Sequence, residues 1–354
     1  MNPIVSIIVA AYNAEKTIEK LVQSVYSQVV DRSQYELIII DDGSTDRTGA
    51  VLDALVGTYP DMRLVIRHIT NGGVCHARNF GLSLARGEFV TFIDSDDYYG
   101  DNILQSFFDY RHHYPHIDLW KYGAVEHYIE HNRSIRDKIN SVVPFISESS
   151  TDILRMALEM EYIPIFGYVW NGFYRLSIIS ARNIRFSDQY IMEDFMFSFE
   201  YLTYAESMGT IPEVYYHYIL DFDKSSLSKR WEPKYYEMYR LKVQTIYDYM
   251  QAVGIDDMVC FQLLSRLYVK YMYSSLERMG TVVSIYDKYK WLRLLWKDSL
   301  YKAMRQYMCC GFSLIGILSG LLKYKCTIAV ILCTKGISFV RHRCKSLFAK
   351  IKSS

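Results

Sequence analysis

The chain has 354 residues, half of them hydrophobic, which is enough for one large domain or two smaller ones with a sizeable core. Its overall charge is nearly balanced, but residues 1–298 carry 30 basic and 39 acidic side chains, and the residues after Asp298 carry ten basic and no acidic ones. Seven dispersed cysteines without metal-ligand spacing argue against a disulfide framework or a zinc site and favour reduced thiols. The basic end predicts an anionic partner such as a membrane surface or a nucleic acid.

The first hundred residues alternate between strand and helix patterns. Apolar runs typical of strands buried on both faces occur at residues 5–10, 37–40, 64–66 and 89–93. Helical periodicity fills the intervals, with Asn13 predicted to cap the first helix and Gly87 to end the third. This alternation predicts a mostly parallel sheet with helices on both faces, a Rossmann-like α/β half whose ligands bind at the carboxyl ends of the strands.

The rest of the chain has a different pattern. Residues 101–160 look less regular, with a polar stretch at 147–152 that predicts a loop or a helix start. Residues 231–300 are rich in tyrosine and helical in period. We therefore expect an α/β part followed by a mainly helical extension.

Two apolar runs near the end of the chain, residues 308–322 and 326–334, are separated and followed by lysines. Each is shorter than the roughly 20 residues that span a bilayer. Such interrupted, basic segments are typical of an interfacial segment on an anionic leaflet. The alternative is a buried helical hairpin with a solvated basic end. Because the chain starts directly in a strand pattern without a charged leader, the body is predicted to be cytoplasmic, peripheral on the inner face of the cell membrane.

An acidic cluster, Asp94, Asp96 and Asp97, follows the fourth predicted strand directly. Three carboxylates within four residues repel one another unless a cation or solvent lies between them. Hard oxygen ligands of this kind suit Mn²⁺ or Mg²⁺, and a bound divalent cation stabilises a departing diphosphate. The alternative is a polar loop that caps a helix near Asp101.

Four segments in fixed order resemble family 2 glycosyltransferases, which have the GT-A nucleotide-sugar fold. They are residues 5–13 (VSIIVAAYN), 36–46 (ELIIIDDGSTD), 71–81 (NGGVCHARNFG) and 94–97 (DSDD). The close resemblance covers residues 4–100, and weaker matches follow at residues 170–175 (WNGFYR) and 193–194. The resemblance implies the GT-A fold and an enzyme of the hexosyltransferase type (EC 2.4).

The resemblance also implies donor-binding roles. Asp42 is expected to accept a hydrogen bond from the uracil N3–H, with Asp41 in support, and Ala10 and Tyr12 are expected to line the base. A carboxylate acceptor selects a base that carries an imide N–H, as uracil and thymine do. Arg78 is expected near the diphosphate or the donor sugar, because a guanidinium matches phosphate oxygens. Asp41 and Asp42 could instead serve only the turn that follows them.

The acidic cluster corresponds to the DXD motif of the family. Asp94 and Asp96 are expected at the donor, and Asp96 and Asp97 at the metal ion, Mn²⁺ or Mg²⁺.

Asp194 stands where the family keeps its general base, which implies inversion at the anomeric carbon. Glu193 and Asp194 could also simply start a helix, whose N-terminus favours acids. Trp170, Asn171 and Glu193 are expected at the acceptor, although related enzymes often carry lysine where this chain has Gly172.

The roles of two aromatic residues, Trp170 and His217, each have two possible interpretations. Trp170 is a credible sugar platform and an equally credible core residue. His217 could complete a metal or diphosphate site, but a hydrogen-bonded strand histidine is the expected reading.

These observations predict a catalytic domain over residues 1–225, with a donor half at 1–100 and an acceptor half at 101–225. A helical region at 226–354 is expected to end in a membrane-associated basic tail from about residue 305. The predicted reaction moves a sugar from UDP to a glycan or lipid-linked acceptor, in the synthesis of a bacterial surface polysaccharide.

The alternative is a catalytically silent, membrane-associated scaffold with the same fold. A sugar nucleotidylyltransferase is disfavoured because no Gly-rich phosphate loop follows the first strand. No nucleic acid and no obligate protein partner are expected, since the apolar runs make lipid the better match for the tail.

Overall fold

The computed structural model describes residues 2–131, 133–188, 192–222, 234–280 and 283–343, with side chains described as far as residue 337. The strands are β1 (Val5–Ala11), β2 (Tyr35–Asp41), β3 (Leu64–His68), β4 (Phe89–Asp94), β5 (Tyr98–Tyr99), β6 (Leu119–Glu130), β7 (Arg133–Asn140), β8 (Ile146–Ser147), β9 (Gly172–Arg175) and β10 (Met208–Asp221). The helices are α1 (Ile18–Tyr26), α2 (Thr48–Thr58), α3 (Val74–Leu84), α4 (Ile103–His113), α5 (Ser150–Tyr162), α6 (Leu176–Arg182), α7 (Glu193–Leu202), α8 (Tyr235–Val253), α9 (Met258–Arg278), α10 (Ile285–Leu295), α11 (Ser299–Arg305), α12 (Leu314–Lys323) and α13 (Thr327–Arg343).

The chain divides into two compact units. The first comprises Met1–Ile153 and Ile163–Ser225, and the second comprises Leu154–Tyr162 and Ser226–Ser354. All the strands described above belong to the first unit, and the second is helical.

One mixed sheet forms the centre of the first unit, with strand order β3-β2-β1-β4-β9-β6-β10-β5. The pairs β3–β2, β2–β1, β1–β4 and β6–β10 are parallel. Strand β9 lies antiparallel between β4 and β6 and joins the two parallel parts. Strand β7 adds to β6, and β8 adds to β10, both antiparallel.

The N-terminal strands are buried on both faces, as their continuous apolar runs predict. Every residue of β2 is buried, and β1 and β4 each expose only one residue in part. Alternate residues face opposite sides of a strand. Leu37 and Ile39 join the larger core, whereas Ile38 and Ile40 pack with Ala77 of α3 on the other side. The predicted parallel sheet with helices on both faces is therefore confirmed.

Two predicted helix boundaries are wrong. Asn13 adopts a left-handed conformation with a φ of 52° and does not cap α1, which begins after Thr17. Its side-chain oxygen accepts hydrogen bonds from the backbone of Thr45 and Asp46, so it joins the β1 and β2 loops instead. Helix α3 ends at Leu84, and Gly87 lies beyond it, where its backbone N–H donates to Ser6 Oγ.

Residues 101–160 are more regular than the sequence suggested. They contain α4, the long hairpin of β6 and β7, and α5. The predicted helix start is confirmed, since Ser149 Oγ accepts the Asp152 N–H at the beginning of α5. The hairpin strands could not be predicted from the sequence pattern, because β6 mixes aromatic, charged and small residues without regular alternation.

The second unit is built on α9, the most buried of its helices. A buried ion pair holds α5 to α8: Lys242 Nζ lies 2.6 Å from Glu161 Oε1, which also accepts the Tyr271 hydroxyl at 2.7 Å. Helices α12 and α13 are consecutive and pack on each other and on α9. They bury Leu318, Leu322, Val330 and Ile331. This hairpin corresponds to the alternative reading of the tail.

No helix among the residues described here is both long enough and apolar enough to cross a bilayer. The predicted basic terminus extends beyond them, because residues 344–354 lie outside the described part of the chain.

Candidate functional site

The carboxyl ends of three neighbouring parallel strands meet at one edge of the sheet. In the strand register, Ala11 of β1 stands opposite Asp41 of β2, and Ala10 of β1 stands opposite Asp94 of β4. The predicted donor residues therefore flank the end of β1. Tyr12 follows directly and is 51% exposed, so its ring is available to a ligand.

Asp42 organises the entry to α3. It is buried, and its two carboxylate oxygens accept the backbone N–H groups of Gly72 at 2.9 Å and Gly73 at 2.8 Å. Gly73 has a φ of 88°, a conformation that favours glycine. Each carboxylate oxygen can accept a second hydrogen bond, so these contacts leave acceptor capacity for a ligand.

Asp41 is held by a histidine that the sequence analysis did not single out. Its Oδ2 lies 2.7 Å from His68 Nδ1, and its Oδ1 accepts the Ser44 N–H at 3.1 Å. His68 Nε2 lies 3.3 Å from Asp53 on the other side of the ring. The hydrogen bond to Asp41, with the one to Asp53, raises the pKa of His68. Asp41 thus supports the loop around Asp42.

Arg78 of α3 connects two distant acidic segments. Its Nη2 lies 2.9 Å from Asp94 Oδ1, and its Nη1 lies 2.5 Å from Asp194 Oδ1. Glu193 Oε1 lies further away, at 3.9 Å from Nη1. The Arg78 side chain is only 6% exposed and points to these carboxylates. The fold therefore brings Asp194 beside the acidic cluster.

Asp194 lies in the first turn of α7, where the helix dipole favours a negative charge. The backbone N–H of Val169 also favours the ionised form of this carboxylate and so lowers its pKa. Burial raises the pKa of Asp194, against the opposing effect of the Arg78 cation. Burial, together with the charge of Asp194, raises the pKa of Glu193 to about 7. Asp194 is thus a carboxylate held by Arg78, and Glu193 beside it is an acid whose pKa lies near neutral pH.

The DSDD segment forms a turn in which the Asp97 N–H donates to the Asp94 carbonyl at 3.0 Å. Asp96 is exposed on this turn, whereas Asp97 is 2% exposed. The Asp97 oxygens accept the Tyr216 hydroxyl at 2.7 Å and the Ile219 N–H at 2.8 Å. Burial, with the charges of Asp94 and Asp96, raises the pKa of Asp97 well above its usual range. Asp97 therefore fastens the turn to β10, while Asp96 faces outward.

No group of three or more histidine, cysteine or acidic side chains arranged to hold a metal ion occurs within the described ranges.

Two predicted acceptor residues are buried. Trp170 is 1% exposed and stacks between Tyr168 and Tyr216, with ring centroids 4.7 and 4.2 Å away, which favours the core reading over the sugar platform. Asn171 is fully buried, with Oδ1 accepting from Lys121 Nζ and Nδ2 donating to backbone carbonyls. Neither side chain presents a free surface, which argues against their expected direct contact with an acceptor.

Tyr168 and Tyr218 are the aromatic residues that sequence reasoning missed. Both are half-buried, and their ring centroids lie 5.9 Å apart. Burial, with Tyr168 and the charges of the acidic turn, raises the pKa of Tyr218. The N–H of the next residue, Ile219, donates to Asp97, which places this part of β10 beside the turn. The only sequence signal was a local enrichment in aromatic residues around positions 168–170 and 215–218.

His217 is a hydrogen-bonded strand histidine, as expected. Its Nδ1 lies 2.8 Å from His127 Nε2, and His127 Nδ1 lies 2.9 Å from Asp137. The His217 ring stacks on Tyr98 with 4.5 Å between centroids. Burial, and the neighbouring His127, lower the pKa of His217.

Part of the chain is similar in sequence to a known protein family. Residues 6–158 match the family described as Glycosyl transferase family 2. This region is therefore similar to glycosyltransferase family 2, in agreement with the resemblance predicted from the four N-terminal segments.

Two relatives from Bacillus subtilis show the extent of the similarity. The uncharacterized glycosyltransferase EpsJ of Bacillus subtilis is 29% identical over 219 residues, which cover 62% of this chain and 61% of EpsJ. The minor teichoic acid biosynthesis protein GgaA of the same species is 29% identical over 228 residues, covering 64% of this chain and 49% of GgaA. The chain therefore spans less than two thirds of the length of either relative.

A solved structure, Staphylococcus aureus TarS 1-349 in complex with UDP-GlcNAc, superposes with a TM-score of 0.64. It is 20% identical, and the superposition covers 96% of this chain and 91% of that one. This likeness shows the fold, so the predicted GT-A fold class with its helical C-terminal part is confirmed.

Proposed function

We propose that the chain is an inverting glycosyltransferase of the hexosyltransferase type that takes its sugar from a UDP-sugar. One observation carries the proposal: a shared ion pair with Arg78 brings Asp194 beside Asp94 at the carboxyl edge of the nucleotide-binding sheet. A nucleotide-sugar transferase needs its base and its diphosphate site side by side. The first unit would be the catalytic domain, with residues 1–100 as its donor half and residues 101–225 as its acceptor half.

The donor base would bind at the end of β1. Asp42 would accept the uracil N3–H, because its oxygens retain acceptor capacity beside the Gly72 and Gly73 N–H bonds. The exposed ring of Tyr12 and the backbone at Ala10 would line the base, and Asp41 would keep the loop in place. UDP-GlcNAc is the first donor to test, since it is the ligand of the TarS structure.

The residues at the acidic turn fit a divalent cation, Mn²⁺ or Mg²⁺. Asp96 offers an exposed carboxylate, and Mg²⁺ is commonly held by one or two carboxylates together with substrate phosphates, so no cage made only of protein is required. Asp94 belongs to the same turn, and its carboxylate, which also accepts from Arg78, would assist. Asp97 contributes less directly, because its oxygens already accept two internal hydrogen bonds. The cation would stabilise the negative charge of the departing UDP.

Asp194 would act as the general base. Its carboxylate accepts the proton of the acceptor hydroxyl while that oxygen forms a bond to the anomeric carbon. The bond from the anomeric carbon to the diphosphate oxygen breaks, and UDP leaves with the electron pair, so the configuration inverts. Burial, which raises the pKa of Asp194, brings its basicity closer to what proton transfer near neutral pH requires. Arg78 would keep the carboxylate aimed, and it lies close enough to Asp94 to influence the diphosphate side.

The acceptor would be a glycan or a lipid-linked saccharide of a bacterial surface polysaccharide. GgaA is named for teichoic acid biosynthesis, and TarS is named a poly(ribitol-phosphate) beta-N-acetylglucosaminyltransferase. Tyr168 and Tyr218 would supply the aromatic wall against which the acceptor sugar packs, since aromatic faces suit sugar C–H groups. Glu193 would lie at the same end of the site.

Contact with the inner face of an anionic membrane is proposed for α12 and α13. Their outward positions include apolar residues, of which Ile328 and Leu332 are 68% and 61% exposed and one helical turn apart. Lys325 and Lys335 are exposed nearby, and no acidic residue follows Asp298. An apolar face with basic flanks is what an anionic leaflet attracts.

The proposed activity is tested by UDP release. The purified protein is incubated with Mn²⁺ and a panel of UDP-sugars, with and without EDTA and with candidate acceptors, beside Asp96→Ala and Asp194→Asn. We expect turnover of one donor, its loss with EDTA or Asp96→Ala, and loss of acceptor-dependent turnover in Asp194→Asn with donor binding kept. A folded protein that binds no UDP-sugar in the presence of metal would favour the silent scaffold instead.

The membrane contact is tested separately by co-sedimentation with vesicles of phosphatidylglycerol and phosphatidylcholine. We expect the wild-type protein to sediment with the anionic vesicles and Ile328→Glu/Leu332→Glu to stay in solution. Ile139→Glu on β7, at an exposed apolar residue of the first unit, is the matched control. Equal sedimentation of all three proteins would contradict the proposed surface.

A further inference from the structure

A fully buried lysine holds the segment that precedes β9. Lys121 is on β6, and none of its surface is exposed. Four acceptors lie within hydrogen-bond distance of the three N–H groups on its Nζ: the Phe166 carbonyl at 3.0 Å, the Tyr168 carbonyl at 2.8 Å, Asn171 Oδ1 at 2.9 Å and Tyr174 Oη at 2.9 Å. Burying an ammonium group is costly unless its hydrogen bonds are well satisfied, and four acceptors converge on this one.

The first set of contacts fixes a loop that reaches the base. The carbonyls of Phe166 and Tyr168 and the side chain of Asn171 all belong to the segment between α5 and β9. Within this segment the backbone N–H of Val169 favours the ionised form of the Asp194 carboxylate and so lowers its pKa. The Tyr168 carbonyl and the Val169 N–H belong to one planar peptide group, so a cation that holds this carbonyl also fixes the direction of the Val169 N–H.

The contact with Tyr174 leads to the helix that carries the candidate base. An ammonium group can only donate, so Tyr174 accepts from Lys121 and its own hydroxyl hydrogen is free to donate to Ser198 Oγ, 3.1 Å away. Ser198 lies in α7, one turn beyond Asp194. The segment before β9 and helix α7 are thus both linked to the amino group of Lys121.

The neighbouring strand β9 has a glycine beside Lys121. Gly172 of β9 is the register partner of Lys121, and a Cβ at Gly172 would come within 2.9 Å of the Tyr174 ring. The absence of a side chain at Gly172 therefore leaves the Tyr174 ring in the position where its oxygen meets Lys121.

We infer that Lys121 is a positioning residue for the general base Asp194, acting through the Val169 N–H and through Tyr174 and Ser198. This inference rests on the proposed function, because it gives Lys121 a role in the step that Asp194 performs. It concerns proton removal from the acceptor and leaves donor binding to the loops at the ends of β1 and β2.

The test compares wild type with Lys121→Met and Tyr174→Phe in acceptor-dependent turnover across pH. We expect Lys121→Met to lower kcat by about 100-fold, the scale of a misplacement of roughly 1 Å at a reacting group. The donor KM, and UDP-sugar binding measured by calorimetry, should stay unchanged. The acidic limb of the kcat profile should move to higher pH, because a Val169 N–H that is no longer held in place stabilises the ionised carboxylate less. Tyr174→Phe should show a smaller loss and a shift in the same direction.

Lys242→Met is the matched control, because it also removes a buried lysine, in the other unit. It should lower stability without moving the pH profile of the folded protein. A Lys121→Met protein with wild-type kcat and pH profile, or one in which only the donor KM rises, overturns the inference. If Lys121→Met does not fold, an unchanged profile in Tyr174→Phe overturns it equally. Wild-type turnover that is lost in Asp194→Asn upholds the proposed function whatever Lys121→Met does, so the two failures are distinguishable.

Discussion

Arg78 of α3 and Asp194 of α7, 116 residues apart in the chain, form an ion pair with 2.5 Å between Nη1 and Oδ1. The other amino group of the same guanidinium reaches Asp94 at 2.9 Å. Because the Arg78 side chain is 6% exposed, a single buried cation neutralises carboxylates that come from β4 and from α7. This cation therefore couples the integrity of the fold to the geometry of the site.

Replacing Arg78 by methionine should destabilise the protein by about 3 kcal/mol, because partly buried carboxylates lose their shared cation. Arg78→Lys should recover only part of the loss, since one ammonium group cannot span both carboxylates as a planar guanidinium does. The free energy of unfolding in urea measures both effects. Arg67→Met, at an exposed arginine of β3 bonded only locally to the carbonyl of Ile66, is the control. Equal stability of the Arg78 and Arg67 variants would contradict the role of the bridge.

Neighbouring aspartates in the DSDD turn should respond differently to substitution. Asp97→Asn should lose about 2 kcal/mol of stability, because an amide nitrogen faces either the Tyr216 hydroxyl or the Ile219 N–H where an acceptor is required. Asp96→Asn should leave the melting temperature near that of wild type, because Asp96 is exposed. It should abolish metal-dependent turnover, because Asp96 is the proposed metal ligand. Thermal unfolding and UDP release on the same samples separate the two. If Asp97→Asn is stable but inactive, Asp97 acts at the metal rather than in the fold.

The N-terminal half of the site could be predicted because the information is local. The strand runs before Asp41 and Asp94 are continuous and apolar, and parallel strands place their carboxyl ends at one edge. The contacts made by Asp42 and the ends of α1 and α3 could not be predicted in this way, because they depend on contacts between loops. Asn13 illustrates this point: its side chain was free to cap a helix by local rules, but it bonds to the β2 loop instead.

The acceptor side could not be predicted from periodicity. Lys121 looks like a surface residue in a strand that mixes charged and aromatic residues, and its four acceptors come from the segment 166–174. Trp170 fitted both a sugar platform and a core position, and only the rings stacked on both of its faces decide between them. Such decisions rest on packing between segments distant in the chain, which a single sequence does not reveal.

Tyr168 and Tyr218 should matter for the acceptor and not for the donor. Tyr168→Ala and Tyr218→Ala should each raise the acceptor KM by about tenfold, the loss of one aromatic contact of 1–1.5 kcal/mol. Metal-dependent hydrolysis of the donor without acceptor should stay close to wild type. Tyr204→Ala, at a tyrosine 41% exposed after α7, is the control, and Trp170→Leu should instead lower the melting temperature because Trp170 is in the core. A loss of donor hydrolysis in the tyrosine variants would place these rings at the donor.

His68 should give the protein a stability that depends on pH. Its hydrogen bond to Asp41, helped by Asp53, raises the pKa of His68 in the folded state above the unfolded value of about 6.5. A raised pKa means that the stabilisation is fully present below the unfolded pKa and is lost as the pH rises through the folded pKa. The side chain is 43% exposed, so solvent screening limits the contribution to about 0.5 kcal/mol.

The measurement is the difference in the free energy of unfolding between wild type and His68→Gln from about pH 5.5 to about pH 9, the interval in which histidine changes charge. The difference should be largest at the acidic end and should shrink steadily as the pH rises. His112→Gln, at an exposed histidine of α4, corrects for general effects of losing a histidine. A difference that is constant over this interval would mean that the neutral ring alone holds Asp41, and that protonation of His68 adds nothing to the loop that carries Asp42.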